Sequence, residues 1–202
     1  LKVIGYGDNR GKGYAVRFGM ARSRGDKIAF IDSGMDIDPN GLSMILEHME
    51  WYGADIIVGS KRHPASQVEY PLLRKIYSIG YQILIRAFFN LKIRDTQAGL
   101  KIFKREVLEK VLPRLLVKRF AFDVELLSVA NHLGFRRIYE APIKLDSKRF
   151  KFASTIKTQT VLEMLVDTLA VFYRLKILHY YDGSNKRKWK FDKDLNFRVN
   201  IG

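Results

Sequence analysis

The sequence predicts an α/β fold: a mainly parallel sheet carrying helices on both faces. Three observations lead there. Short, continuously apolar runs of strand length alternate with longer segments of helical periodicity, as in βαβ units. Several of those runs stop at Asp, Gly or Pro, residues that close strands. Finally, 202 residues with 47% apolar and 28% charged types suffice for a hydrophobic core without staples.

Leu1–Tyr6 is a short apolar run, read as a first strand, ending in glycine-rich sequence. From Lys12 to Ser23 a helix is expected, with Ala15, Phe18, Gly19 and Arg22 at spacings of three and four. Lys27–Ile31 is an apolar strand that stops at Asp32, and Gly41–Tyr52 is helical, with Pro39 near its start. Asp55–Gly59 is another buried strand, and Leu72–Leu91 a long helical pattern. A strand at Leu100–Phe103 leads into a short helix, Arg105–Val111, halted before Pro113. Asp123–Leu133 is a helix ended by Gly134, and Arg137–Ala141 a strand ending before Pro142. In Ile156–Tyr181, Val161, Leu162, Leu165, Leu169, Phe172 and Tyr173 follow one helical face, and Glu163, Asp167 and Arg174 the other. Such a helix suits either a membrane interface or a core. Gly183–Gly202 reads as a basic tail with one added strand at Asn196–Ile201. The expected organisation is a domain over 1–150, an amphipathic helix over 151–182 and the tail over 183–202.

Charge and composition narrow the function. Cysteine is absent, which excludes a disulfide scaffold, a cysteine nucleophile and Cys-ligated zinc or iron–sulfur sites. A net charge of +15 calls for nucleic acid, an anionic membrane or phosphate-bearing substrates as partners. No long uncharged apolar stretch is present to form a transmembrane helix. The chain begins with Leu and has no signal-like segment, so it reads as a fragment or a processed form.

Three constellations carry chemistry. In Gly5-Tyr6-Gly7-Asp8-Asn9-Arg10-Gly11-Lys12-Gly13, glycines let backbone N–H groups approach an anion at a helix start, and Arg10 and Lys12 add charge. The spacing departs from the dinucleotide fingerprint, which argues against an oxidoreductase. Next, Asp32, Asp36 and Asp38 crowd the end of a strand, an arrangement that Mg2+ or Mn2+ bridging a diphosphate explains. Asp38 also suits a helix cap. Third, Arg74, Ser78, Gln82 and Arg86 form a polar stripe on an otherwise apolar helix. That stripe fits a phosphate head attached to a greasy tail, or simply a solvated face.

These residues carry a resemblance. Asn9-x-Gly11-Lys12-Gly13-x-Ala15, Phe30-Ile31-Asp32 with its acidic cluster, and Gly59-Ser60-Lys61 resemble family 2 glycosyltransferases of the GT-A (Rossmann-like) fold. The run from Arg94-Asp95-Thr96-Gln97-Ala98-Gly99 through Leu100-Lys101-Ile102-Phe103 narrows it to the polyprenyl-phosphate branch, which includes dolichyl-phosphate glucosyl- and mannosyltransferases. Phe120-Ala121-Phe122-Asp123-Val124-Glu125-Leu126-Leu127 resembles the same branch, and Glu140-Ala141-Pro142 resembles the usual close of the family's catalytic domain. The likeness covers about residues 1–182, and it implies that the family's first strand, a helix and the base-binding loop precede Leu1.

The resemblance implies roles residue by residue. Asp32 opens the metal- and diphosphate-binding D-x-D motif. Gly34 replaces its second Asp, so Asp32 and Asp36 are the expected metal pair. Arg10 and Lys12, with Asp32, would serve the donor diphosphate, and Lys61, Arg74 and Ser78 the acceptor phosphate. Asp95 would lie, with Asp32, near the reacting centre. The implied reaction inverts the anomeric carbon while moving a hexose from UDP-glucose or GDP-mannose to a polyprenyl or dolichyl phosphate. The Asp95-Thr96-Gln97 form of its motif leans toward glucose. The implied location is peripheral, on the cytoplasmic face of an anionic membrane, with the segment Lys186-Arg187-Lys188-Trp189-Lys190 adding attraction. A homo-oligomer is a further possible assembly. The alternative, a basic nucleic-acid-binding α/β domain, also fits the charge, but carboxylates at 32, 36 and 38 would repel phosphate unless a metal intervened. The expected partners therefore exclude nucleic acid.

Overall fold

The computed structural model describes residues 2–32, 41–66, 72–117, 119, 121–144, 158–183 and 188–200; for 72–75, 158–160 and 200 it describes the backbone only. Helices α1 (Lys12–Arg22), α2 (Leu42–Trp51), α3 (Leu72–Phe89), α4 (Arg105–Val111), α5 (Phe122–His132) and α6 (Thr158–Lys176) surround the sheet. Strands β1 (Lys27–Ile31), β2 (Ile56–Ser60), β3 (Leu100–Lys104) and β4 (Ile138–Pro142) form it, in the order β1-β3-β2-β4. Pro142 is the last paired residue of β4, opposite Ser60, not the residue beyond the strand. It sits at the strand end of an edge position, where a missing N–H is tolerated.

The sheet is mixed. β2 and β4 pair in parallel, while β3 runs antiparallel to both β1 and β2. Three strands thus point one way and β3 is inserted against them. This matters for function: the carboxyl ends of β1, β2 and β4 share one edge of the sheet with the amino end of β3.

Alternation along the strands builds a core on each face. Ile56 and Val58 of β2 and Phe103 of β3 join the larger core, with Met20 of α1, Ile85 of α3, Leu127 of α5 and Val171 of α6. Ile57, Leu100 and Ile102 face the other way, onto Ile45 and Met49 of α2. Each such buried aliphatic side chain contributes roughly 1.5–3 kcal/mol. The helices therefore lie on both faces, as the alternation of runs implies.

Two segments depart from the sequence reading. Residues 2–6 form no strand, and Val3 stands 89% exposed. The segment expected as a basic tail contains a hairpin, β5 (Trp189–Asp192) and β6 (Phe197–Asn200). Leu195 in its turn is buried against Tyr14 and Phe18 of α1. The pairing escapes the sequence reading because each strand is only four residues long, too short to show a clear alternation. Lys186 and Arg187 of the basic segment lie outside the described residues.

Candidate active site

Asp32 follows β1 directly, at the sheet edge where the carboxyl ends of β1, β2 and β4 lie. Its N–H donates to the Gly99 carbonyl at 2.7 Å, extending the β1–β3 ladder by one step. Gly99 lies against the carboxylate so closely that a Cβ there would stand 2.6 Å from Oδ2. Only glycine leaves that space. On its other side Asp32 meets Lys12, whose Nζ is 3.1 Å from Oδ1.

Lys12 opens α1, and its Nζ is also 3.2 Å from Oδ2 of Asp123, near the start of α5. The two helix starts come together because Gly13 rests on Phe122, where a Cβ would come within 2.8 Å of the ring. The other carboxylate oxygen of Asp123 accepts from Lys101 Nζ at 2.6 Å, and Lys101 donates again to the Ala98 carbonyl at 2.5 Å. Lys101 and Asp123 are both wholly buried. The result is an alternating row of charges, Asp32–Lys12–Asp123–Lys101, beside the Phe30 ring. Burial alone would favour the neutral Lys12 amine, but Asp123 and then Asp32 outweigh it and hold the ammonium above its usual range. Lys12 and Asp32 also line a groove of about 730 Å³ that runs between α1 and β1, past Val16, Met20 and Phe30.

Asp95 lies in the loop before β3. Because β3 runs against its neighbours, this loop reaches the same edge as Asp32. Glu140 of β4 accepts from the N–H groups of Arg94 and Asp95 at 2.9 and 3.0 Å, which fixes the loop. Asp95 Oδ2 in turn accepts from the Lys61 N–H at 3.1 Å, just after β2. Burial pushes the Asp95 carboxyl above the usual carboxylate range, against the pull of Lys101 and Lys61. Next to it, the Arg62 guanidinium donates to the Ser78 hydroxyl at 3.3 Å, the Ser78 carbonyl at 3.2 Å and the Arg94 carbonyl at 3.1 Å. A cavity of about 50 Å³ opens there among Ser78, Tyr81, Gln82, Arg94, Asp95 and Thr96.

The structure thus gathers Asp32 with Lys12, the Lys61 backbone with Asp95, and Asp95 with Ser78 around one small cavity. Arg10 faces elsewhere: it pairs with Asp194 of the hairpin at 2.8 Å and bonds the Tyr14 hydroxyl at 2.8 Å. Arg74 lies on α3, where only its backbone is described, and Asp36 lies outside the described residues. Sequence reasoning missed Arg62, Lys101, Asp123 and Glu140 as site-building residues. A lysine inside the apolar strand LKIFK was the available signal, since a buried ammonium demands a partner.

Among the described residues no group of three or more His, Asp or Glu side chains is placed to hold a metal alone. A single carboxylate over a glycine cradle does fit an ion of the Mg2+ type, which takes one or two protein carboxylates and completes its shell with substrate phosphates and water.

Comparison with known proteins agrees with this architecture. Mannosyl-3-phosphoglycerate synthase from Rubrobacter xylanophilus superposes with a TM-score of 0.61 at 16% identity, over 91% of this chain and 56% of that one. Glucosyl-3-phosphoglycerate synthase from Mycobacterium tuberculosis, in complex with Mn2+, UDP-glucose and phosphoglyceric acid, gives 0.57 at 14% identity, over 92% and 61%. The fold is therefore that of GT-A glycosyltransferases. The sequence profile "Glycosyl transferase family 2" matches residues 1–112, and the chain belongs to that family. Curated relatives include dolichyl-phosphate beta-glucosyltransferases. The Drosophila melanogaster protein is 36% identical over 140 residues, 66% of this chain and 43% of the relative. The Homo sapiens protein is 32% identical over 185 residues, 88% and 56%. The chain spans about half the length of these curated relatives.

Proposed function

We propose that this chain is catalytic sequence of a dolichyl-phosphate β-glucosyltransferase, moving glucose from UDP-glucose to a dolichyl or polyprenyl phosphate with inversion. The observation that carries the proposal is the meeting, at one sheet edge, of an Asp32–Lys12 pair on a large groove with Asp95, which accepts from the Lys61 N–H and lines a small cavity with Ser78 of α3. Glucose is favoured over mannose by the names of the curated relatives. Their proteins, not this chain, carry that assignment.

Asp32 would hold Mg2+ or Mn2+, with Asp36 as second carboxylate, and the ion would neutralise charge on the departing diphosphate. Lys12 would supply a second positive charge to the same phosphates. On the acceptor side a lipid monophosphate is already anionic, so no strong general base is required. One of its oxygens forms the bond to the anomeric carbon as the bond from that carbon to the UDP oxygen breaks. Lys61, Arg74 and Ser78 would orient the acceptor, and Arg62, which already grips Ser78, would hold that hydroxyl in place. Asp95 would fix the Lys61 backbone through its accepted hydrogen bond. Positioning and charge stabilisation would account for catalysis.

The lipid end of the reaction is supported by the helices next to the site. Ile76, Tyr77, Ile79 and Ile83 of α3 are exposed, as are Leu162, Val166, Leu169 and Tyr173 of α6. The two helices touch through Tyr81 and Thr168 and through Phe88 and Phe172. With a net charge of +15, this apolar surface suits peripheral docking on an anionic membrane at its cytoplasmic face. Among the described residues no helix is long and apolar enough to cross a membrane. The same surface favours lipid over nucleic acid as the anionic partner.

The test is direct. Protein in detergent is incubated with Mn2+, dolichyl phosphate and labelled UDP-glucose or GDP-mannose, and lipid-extractable label is counted. Label from UDP-glucose alone is expected. Label from GDP-mannose alone would refute the donor, and label from neither would refute the activity.

A further inference from the structure

The Lys12 ammonium is shared almost evenly between two carboxylates, 3.1 Å from Asp32 and 3.2 Å from Asp123. The two carboxylates are unlike. Asp123 is wholly buried and has a second cation, Lys101, on its other oxygen; Asp32 is partly open to the groove. From these observations we infer that Lys12 is a resident counter-cation of Asp32: it competes with a divalent ion for that carboxylate, and Asp123 keeps it once it is displaced. The inference rests on the reading that Asp32 takes a divalent metal.

The physical reasons are charge and reach. A divalent ion on Asp32 would face an ammonium about one contact distance away, and like charges that close repel strongly in a partly buried site. Lys12 sits at the first position of α1, with four methylenes between backbone and Nζ, so its head can leave Asp32 without moving the helix. It need not enter water unpaired, because Asp123 is already in contact. Lys101 in turn keeps Asp123 charge-balanced when Lys12 turns from it toward a donor phosphate. The metal-free site is thereby kept from exposing a bare carboxylate. Metal and anionic donor are expected to bind cooperatively, since the donor gives the displaced ammonium a new partner.

The experiment measures free Mn2+ by electron paramagnetic resonance, without nucleotide, for wild type and for Lys12→Met, Lys12→Arg and Asp32→Asn. Lys12→Met removes the charge and retains most of the side-chain volume, and Lys101 still balances Asp123, so folding checked by circular dichroism should be retained. Lys12→Met is expected to bind Mn2+ about tenfold more tightly than wild type. Lys12→Arg, which retains the charge, should stay within about threefold and serves as the comparator if Lys12→Met does not fold. In that case Arg binding about tenfold more tightly than wild type would overturn the inference. In the presence of UDP, the advantage of Lys12→Met over wild type should shrink, because the wild-type ammonium then has a phosphate to go to. Unchanged or weaker Mn2+ binding in Lys12→Met, with Asp32→Asn binding less than wild type, would overturn the counter-cation role alone. Equal Mn2+ binding in Asp32→Asn and wild type would overturn the metal reading and this inference with it.

Discussion

Lys101 is the side chain whose removal should be felt most. It is wholly buried and holds Asp123 at 2.6 Å, and breaking one side of a buried ion pair leaves the other charge without its main partner. Lys101→Met is expected to cost about 3–5 kcal/mol in urea unfolding; a loss under about 1 kcal/mol would show that Lys12 alone satisfies Asp123. Asp55 makes a contrasting case at the opposite edge of the sheet. Burial works against its charge, but hydrogen bonds from Arg137 at 3.0 Å and Lys104 at 3.2 Å win and hold its carboxyl below the usual range. A depressed folded-state pKa stabilises above the unfolded value of ~3.9 and is lost as pH falls through the folded value. Asp55→Asn should therefore be less stable than wild type at pH 7, by about 2 kcal/mol, and the gap should narrow below about pH 4. A gap that is constant across this range in chemical denaturation would contradict the assignment. Asp55 joins strand ends and has no part in the proposed chemistry.

At the scale of elements, α6 fills the core role its sequence left open and also leaves an apolar face exposed. Thr168, Val171 and Leu175 are buried, and the Tyr81 hydroxyl meets Thr168 at 2.8 Å, with burial pushing the phenol up to about 12. Leu162, Val166, Leu169 and Tyr173 point outward. One helix thus packs on the core and still presents an apolar stripe. Replacing Leu162 and Leu169 with Ser should weaken sedimentation with anionic liposomes at least tenfold, since each loses about 1.5–3 kcal/mol of apolar burial. Equal sedimentation would remove α6 from the docking surface. The segment after α6 is tied down by Glu125, which accepts from Tyr181 at 2.7 Å and from the N–H groups of Leu116 and Val117. Tyr181→Phe should cost about 1.5–3 kcal/mol and speed amide hydrogen exchange at the end of α6. Unaltered exchange there would mean that Tyr181 does not anchor the segment.

The whole molecule shows where sequence patterns stop carrying information. The runs KIAFI, IIVGS and LKIFK were legible as strands, and REVLEKV as a helix, because apolar periodicity and flanking Gly or Pro are local signals; IIVGS and LKIFK are buried, whereas KIAFI, at the sheet edge, buries only Ile28. The direction of β3 was not legible, since an apolar run reads the same for either sense. Yet that direction brings Asp95 and Gly99 to the edge where Asp32 lies. The proposed contributors to the candidate site, Asp32, Lys12, Lys61, Asp95 and Ser78, were legible from single motifs. The contacts made across the fold were not legible: Lys101 with Asp123, Glu140 with the Asp95 loop, and Asp194 of the hairpin with Arg10. Those pairings depend on how strands and helices are arranged in space, which periodicity does not encode. Everything proposed for the reaction turns on this sheet edge receiving the donor's diphosphate together with its metal, at Asp32. Crystals of the protein grown with UDP and Mn2+, measured at the manganese absorption edge, put that to the test. An anomalous peak is expected in direct contact with the Asp32 carboxylate, with a UDP phosphate on its far side. A peak away from Asp32, with UDP bound elsewhere, would contradict it.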